Sequence, residues 1–460
     1  MIEEDTISKV LKKALSRGGG FADIFFERRK LTSIICEEDK IEKIITGVDQ
    51  GVGIRVISDK NTIYAYSNEF DQKVLLELAE TLSLAIMRNK TAEIISLAKK
   101  NLPLPFLIKK QSGEIDLKNK VEFIKLANST ARSFDKSVRQ VKVTYADRMQ
   151  DITIANSEGL LREGNREGTI FSVLVVAAEG KILQTGYEPV GGFVGFELFD
   201  EISPEKVAKI ASSRAIKMLK AKLPRGGVMP VVLSSNAGGT MVHEAIGHGL
   251  EADLAQDGLS VYTDRLGGKV ASPLISIADD PTLPYRRGSY PFDDEGTKSQ
   301  KTLLVDRGIL TNYLYDRLTA MKDGKVSTGN GRRESYRNKP IPRMSNTLIL
   351  PGETSPDDIV KETKTGLYVN KMGGGEVNTV NGDFVFEVTE GYLIENGKIG
   401  DPVRGATLVG NGPEVLKKID MVGNDLGFGI GTCGKDGQGV PVSDAQPTLR
   451  IQEIVVGGEV

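Results

Sequence analysis

Apolar residues fall at Ile7, Val10, Leu11 and Ala14 within Glu3–Ser16, the three-and-four spacing of one helix face. The pattern stops at Gly18-Gly-Gly20. Short alternating runs follow at Asp23–Glu27, Thr32–Cys36, Lys40–Thr46, Val52–Ser58 and Thr62–Tyr66, and they predict strands. Helical spacing returns over Gln72–Met87. After a proline-containing stretch, Leu102–Ile108, the order recurs: a helix over Leu117–Phe134, several strands within Lys142–Gly195, and a helix over Pro204–Leu219. Helix, antiparallel meander and helix, twice over, predict an N-terminal α+β domain at residues 1–222 with an internal repeat.

The stretch Leu223-Pro-Arg-Gly-Gly-Val-Met-Pro230 reads as a boundary. A strand at Val228–Ser234, the turn Asn236-Ala-Gly-Gly239 and a helix from Thr240 open the second part. Beyond Asp257 the chain is mostly strand-like runs broken by Gly, Pro, Asn and Asp. They include Thr302–Val305, Thr347–Leu350, Gly366–Asn370, Phe384–Val388, Gly391–Ile394 and Thr448–Val456, with a short helix over Glu414–Met421. Only 15 of the 51 glycines precede residue 223. Residues 223–460 therefore read as a Gly-rich, β-dominated domain carrying one important helix.

Composition narrows the function classes. With 39% hydrophobic and 27% charged residues among 460, the chain is an ordinary globular protein rather than a disordered one. Sixty basic against 62 acidic residues leave no broad field for nucleic acid or anionic lipid, so neither is expected as a partner. The longest apolar run, Val173–Ala178, is far too short to span a bilayer. The acidic start, Met1-Ile-Glu-Glu-Asp5, does not read as a signal peptide, and a cytoplasmic location is the expectation. Cys36 and Cys433, nearly the whole chain apart, make no disulfide framework.

The chain has only two histidines, and both lie in His243-Glu-Ala-Ile-Gly-His248. Two histidines four residues apart on a helix can share one metal ion, with the adjacent glutamate as base. Here the spacing is five, about 140° around an ideal helix, which keeps the two imidazoles off a common ion. Gly247 and Gly249 ease a π-bulge or an early helix end, so the helix is expected to be irregular between Ala245 and His248. Glu251 and Asp253 read as further ligands or as a solvated helix face. Cys36 reads as core packing. Cys433, within Gly427-Phe-Gly-Ile-Gly-Thr-Cys-Gly-Lys435, reads as a thiolate able to approach the ion or as a small residue in a tight, flexible loop. The same glycine stretch imitates a dinucleotide fingerprint and the start of a P-loop. Asp436 in place of Ser or Thr, followed by Gly437-Gln-Gly-Val-Pro441, removes the helix that both require. Arg332, Arg333, Arg343 and Asn346 are candidates for contact with a substrate carbonyl or carboxylate.

Further landmarks are Phe292-Asp-Asp-Glu-Gly296, Ser327-Thr-Gly-Asn-Gly-Arg-Arg333, Pro342-Arg-Met-Ser-Asn-Thr347, Gly382-Asp-Phe384, Gly410-Asn-Gly-Pro413, Gly431-Thr-Cys-Gly-Lys435 and Gln446-Pro-Thr448. Together with His243–Glu251 they resemble the TldD/PmbA family of metallopeptidases. Gly51-Val-Gly-Ile-Arg55 also looks familial, whereas Ala445 stands where the family pattern has glycine. The resemblance implies a metal ion, zinc or another divalent cation, held one per chain by His243, His248 and Cys433, with Glu244 as the catalytic acid and base. It implies hydrolysis of unfolded or small peptides. It also implies a dimer, either with a related subunit lacking the motif or with a second copy. Some family members are described as modulators of DNA gyrase, but nothing in this sequence supports direct DNA contact. The competing reading is a metal-stabilised peptide-binding or regulatory subunit without turnover; Glu244 beside its ligand argues against it.

Overall fold

The computed structural model describes residues 3–86, 95–100, 102–103 and 106–458. Its fold is α+β. Helix α1 (Glu4–Ala14) buries Ile7, Val10, Leu11 and Ala14, the apolar set that predicts it. Strands β1 (Phe21–Glu37), β2 (Lys40–Ser58) and β3 (Asn61–Ser67) follow, then α2 (Gln72–Leu84), which starts at Asp71, whose side chain accepts from the Lys73 backbone N–H. The end of the predicted helix at Met87 lies outside the described residues. A two-residue strand β4 (Ala98–Lys99), helix α3 (Leu117–Arg132), strands β5 (Val138–Asn156), β6 (Leu160–Glu179) and β7 (Ile182–Gly192), and helices α4 (Leu198–Glu201) and α5 (Pro204–Leu219) complete this half.

One platform, antiparallel except for the short β4, joins all of it. The strand order is β3-β2-β1-β5-β6, with β7 and the short β4 both on β6. Strand β1 pairs with β5 from Asp23↔Asn156 to Glu37↔Lys142. The two runs of elements thus sit on either side of the β1–β5 seam. Sequence runs read as two short strands each, at 23–36 and 40–58, are single long strands, because the intervening residues continue the ladder without a break. Gly51 lies just before the predicted strand Val52–Ser58, and Gly53 within it. In the structure they are contact points: a Cβ on Gly51 would lie 2.1 Å from the Tyr336 ring, and one on Gly53 1.8 Å from the Tyr64 hydroxyl.

Alternation along β1 divides the two faces. Ala22 and Ile24 pack with α1 and α2, and Ile34 and Cys36 pack with α3 and α5, all on one face. Phe25 points the other way and joins Ile152, Ile154, Phe292 and Tyr336. That second face seats the C-terminal half.

The C-terminal half holds a closed ring of five strands. Strand β8 (Gly227–Leu233) pairs with 365–377, which pairs with 383–395; that strand pairs with 407–411, which pairs with 449–457, and 449–457 returns to β8. A ring leaves no open edge, which suits a domain this rich in short strands and turns. Helical residues Met241, Val242, Ala245, Ile246 and Leu250 share one core with barrel residues Val231, Leu233, Leu367, Phe386 and Leu408. A second sheet lies alongside and includes the hairpin of strands Gly427–Lys435 and Gln438–Gln446. Two local readings are corrected. Residues 427–435 form a strand rather than a flexible loop, and its turn, Asp436-Gly437, has positive φ at both residues, as a tight two-residue hairpin demands. The helix expected over Glu414–Met421 covers Gly412–Lys417, and Ile419–Val422 is already strand, pairing with 449–451.

Candidate metal centre

The helix carrying the histidines takes three different pitches in eleven residues. Thr240–Val242 is α-helical, His243–Gly247 is π-helical, and His248–Leu250 is a 3-10 turn. The His248 N–H bonds to the His243 carbonyl, the i→i+5 pattern that brings residues five apart towards one face. The wide turn is held by its neighbours. Tyr262 donates its hydroxyl to the Ala245 carbonyl at 2.9 Å, and Ser260 donates to the Gly249 carbonyl at 2.6 Å. Gly247 serves close approach rather than unusual backbone angles: a Cβ there would lie 2.2 Å from the Met344 sulfur.

This geometry brings His243 and His248 together, with ring centroids 5.0 Å apart and planes at 87°. The hairpin strand delivers Cys433 to them. Its Sγ lies 3.4 Å from His248 Nε2, and one ligand atom from each of the three residues falls within 4.8 Å of the others. Nδ1 of His243 is buried without a protein partner. Two imidazoles and a thiol suit zinc, whose bonds of about 2.0–2.3 Å set neighbouring ligand atoms about 3.3–3.8 Å apart. The three donors would fit such an ion after small movements. Burial pushes the Cys433 thiol up, but hydrogen bonds and charge from the two histidines outweigh it and bring it down to about 5, so a thiolate is available.

Behind His248 stands Glu251. Its Oε2 is 3.0 Å from His248 Nδ1, which turns Nε2 towards Cys433. Glu251 is fully buried, and burial alone would raise its carboxyl. Lys435 at 3.2 Å, His248 and Arg343 at 3.9 Å instead hold it down at about 2. Glu251 is therefore a buried partner of His248, and no solvated helix face. Asp253 pairs with Lys435 at 2.6 Å. Glu244 is half-buried; burial raises its carboxyl, opposed by the two histidines and reinforced by Cys433 and Asp444.

The four polar residues suggested for substrate contact are all buried, and only Arg343 stands at this cluster. It donates to the carbonyls of Gln438 and Cys433 and so holds the strand that bears the thiol. Arg332 donates to the Met344 and Pro441 carbonyls, and Arg333 to the Asp294 carbonyl and the Tyr64 hydroxyl. Asn346 accepts from the Gly288 N–H and donates to the Asp280 carbonyl. The motifs around them form a network centred on buried Asp279, which accepts from Ser345, Thr347 and Asn330. Sequence reasoning gave Glu251 no role behind a ligand and Arg343 no role behind the thiol. The spacing His-x-x-Glu on a helical segment was the available signal for the first; the second had none.

Comparisons with known proteins extend over the whole chain. Models of the PmbA/TldA metallopeptidase match in three parts: domain 1 at residues 22–86, the central domain at 110–219 and the C-terminal domain at 226–458. The chain is 37% identical to the metalloprotease TldD homolog of Haemophilus influenzae over 99% of its own length and 97% of the relative's. It is 31% identical to the zinc metalloprotease TldD homolog of Saccharolobus solfataricus, covering 98% of this chain and 100% of that one. The fold matches a crystal structure from Thermotoga maritima with a TM-score of 0.82 at 24% identity, covering 99% of this chain and 100% of that chain. It matches TldE from Thermococcus kodakarensis with a TM-score of 0.79 at 18% identity, covering 98% and 100%. From the two-sided platform to the strand that presents Cys433, sequence and architecture agree, and the chain belongs to the PmbA/TldD family of metallopeptidases.

Proposed function

We propose that this chain hydrolyses peptide bonds in unfolded or small peptides, with His243, His248 and Cys433 holding one zinc or other divalent ion and Glu244 moving the proton. Convergence of the three donor atoms, with Glu244 next to His243 in the chain, is the observation that carries the reading. A divalent ion held there supplies Lewis acidity, polarising the scissile carbonyl and lowering the pKa of water towards about 7. Glu244 accepts the proton of the attacking water and passes it to the departing amine; its raised carboxyl suits both roles. Glu251 fixes the His248 ring, and Arg343 fixes the Cys433 backbone.

An extended peptide finds room beside this machinery. A cavity of about 650 Å³ lies between the two halves, lined by Tyr187 and Pro189 on one side and by Thr240, Gly373, Phe428 and Ile430 on the other. Among the described residues no strand pairs with the outer edge of 427–435. Strand addition along that edge would hold a peptide mainly by its backbone, giving weak side-chain selectivity. We retain 1–222 as the platform domain and 223–460 as the domain that carries the metal. We also retain a dimer, with a related subunit lacking the histidine motif or with a second copy, to be measured by analytical ultracentrifugation. No helix among the described residues is long and apolar enough to cross a membrane; a cytoplasmic location belongs to the same reading.

The test is Glu244→Gln assayed for cleavage of an unstructured peptide alongside its metal content. Lost cleavage with unchanged metal supports the mechanism, and unchanged cleavage defeats it. A metal-loaded wild type that binds peptides and cleaves none, with or without a partner subunit, supports the regulatory alternative.

A further inference from the structure

A second cavity, of about 280 Å³, lies where the platform meets the C-terminal half, and its wall is crowded with arginine. From the platform come Leu31, Arg148, Arg166, Gly168 and Ile170. In the ladder Leu31 stands opposite Arg148, and Arg148 opposite Gly168, so these residues share the face that looks away from the helices. Gly168 has no side chain to fill the space beside Arg148. From the other half come Arg287, Tyr290, Arg332, Thr432 and Pro441.

The charges here do not balance. Arg166 has Asp294 at 2.6 Å. Among the described residues, by contrast, no carboxylate lies within 4.0 Å of Arg148, Arg287 or Arg332. Arg148 makes one side-chain hydrogen bond, to Gln150 at 3.2 Å. Arg287 bonds the Gly431 carbonyl and the Thr432 hydroxyl, both neutral. Arg332 bonds two backbone carbonyls. The other lining acids are engaged elsewhere: Asp147 with Lys120 at 2.6 Å, and Glu167 with the Ser112 N–H at 2.5 Å. Burial, with Arg29 and Arg166, brings Arg148 down to about 10 against the opposing charges of Glu27 and Asp294, and burial, with Arg148 and Arg332, brings Arg287 down to about 10.

An anion is the missing partner, and the shape of the cavity says which kind. Its volume is several times what a small inorganic ion needs, since a water takes about 30 Å³. Leu31, Ile170, Phe193 and Pro441 add an apolar wall. Three guanidinium groups beside an apolar pocket suit a carboxylate that carries an apolar side chain. The wall residue Thr432 is the sequence neighbour of Cys433, so this cavity and the metal cluster share one strand and take opposite faces of it.

We propose that Arg148, Arg287 and Arg332 form a carboxylate-binding subsite that receives the free C-terminal end of a peptide, with its last side chain against Leu31, Ile170 and Phe193. The choice of a peptide rests on the peptidase reading; the carboxylate does not. The test titrates metal-loaded Glu244→Gln protein, which holds peptide without cutting it, with an unstructured octapeptide ending in leucine. One batch carries a free carboxylate and the other a C-terminal amide. The acid is expected to bind about tenfold tighter or more. Arg148→Met and Arg287→Met should each shrink that difference, with circular dichroism and metal content unchanged. Equal affinities for acid and amide in the parent protein overturn the proposal, as does a preference that survives both substitutions. Inorganic phosphate is the competitor: weak displacement of the acid peptide supports the proposal, and phosphate binding as tightly as that peptide overturns it. Wild type that cleaves neither peptide counts against the peptidase reading alone, because the acid–amide comparison is still read by titration.

Discussion

Two groups of charged side chains lean on the strand Gly427–Lys435, and they are built on opposite plans. At the metal cluster one buried carboxylate, Glu251, stands among His248, Lys435 and Arg343, and Asp253 closes on Lys435 from the other side. In the arginine cavity three guanidinium groups meet only neutral oxygens. Taking a charge out of water costs several kcal/mol unless a partner offsets it. The first group supplies its own partners and is pre-set to hold one geometry. The second is left to be completed from outside. A site built to hold an ion in place needs the first arrangement, and a site that must bind and release a charged ligand needs the second.

The largest expected effect belongs to the side where chemistry is placed. Glu244→Gln should lower kcat/KM for peptide cleavage by about a thousandfold, within the range for loss of a general acid and base. Metal stoichiometry, read by elemental analysis, should not move.

Next is Glu251→Gln, which strips the compensated cluster of its central charge. Metal affinity should weaken by about 10–100-fold through the loosened His248 ring. Stability in urea should fall by about 3 kcal/mol as Arg343 and Lys435 lose their shared partner. If this variant were as stable as the parent, the contrast between the two groups would be lost.

A mirror case, with carboxylate in excess, gives a pH test. Asp316 is buried beside Glu295, and burial followed by that neighbouring charge pushes it up to about 7. The folded chain then keeps a proton that the unfolded chain has released, so stability falls as pH rises from about 4 to 7. The slope of urea stability against pH in that window should be negative, and no steeper for this group than about 1.4 kcal/mol per unit. Asp316→Asn should flatten it.

The smallest effect should come from Arg148→Met in the absence of ligand. Removing one of several like charges should leave stability within about 0.5 kcal/mol of the parent, or raise it slightly. A loss as large as that of Glu251→Gln would mean that Arg148 already has a partner, and would unmake the comparison.

Much of the framework was legible in the chain. The apolar spacing at Ile7, Val10, Leu11 and Ala14 gave helix α1, and Ser203 ahead of Pro204 marks the start of α5, where the Ser203 hydroxyl accepts from the Lys206 N–H. Strand continuity was harder to read. The run Lys40–Ser58 contains Gly47, Gly51 and Gly53, and nothing local says that Tyr336, nearly 300 residues on, needs the space. The hairpin that carries Cys433 had its signal in Asp436-Gly437, obscured by the glycines around it.

What the sequence settled alone is the inventory: two histidines around one glutamate, a break in regular helix between them, and an α+β order of elements. Those are properties of neighbours along the chain, where spacing and backbone freedom act directly. Only the tertiary structure decided which distant groups meet. It set Cys433 against His248 across 185 positions, Glu251 behind the ring, and arginines from both halves around one cavity. The physical reason is that a charge or a ligand acts through distance and burial, and both are fixed by how the platform and the barrel pack, not by order along the chain.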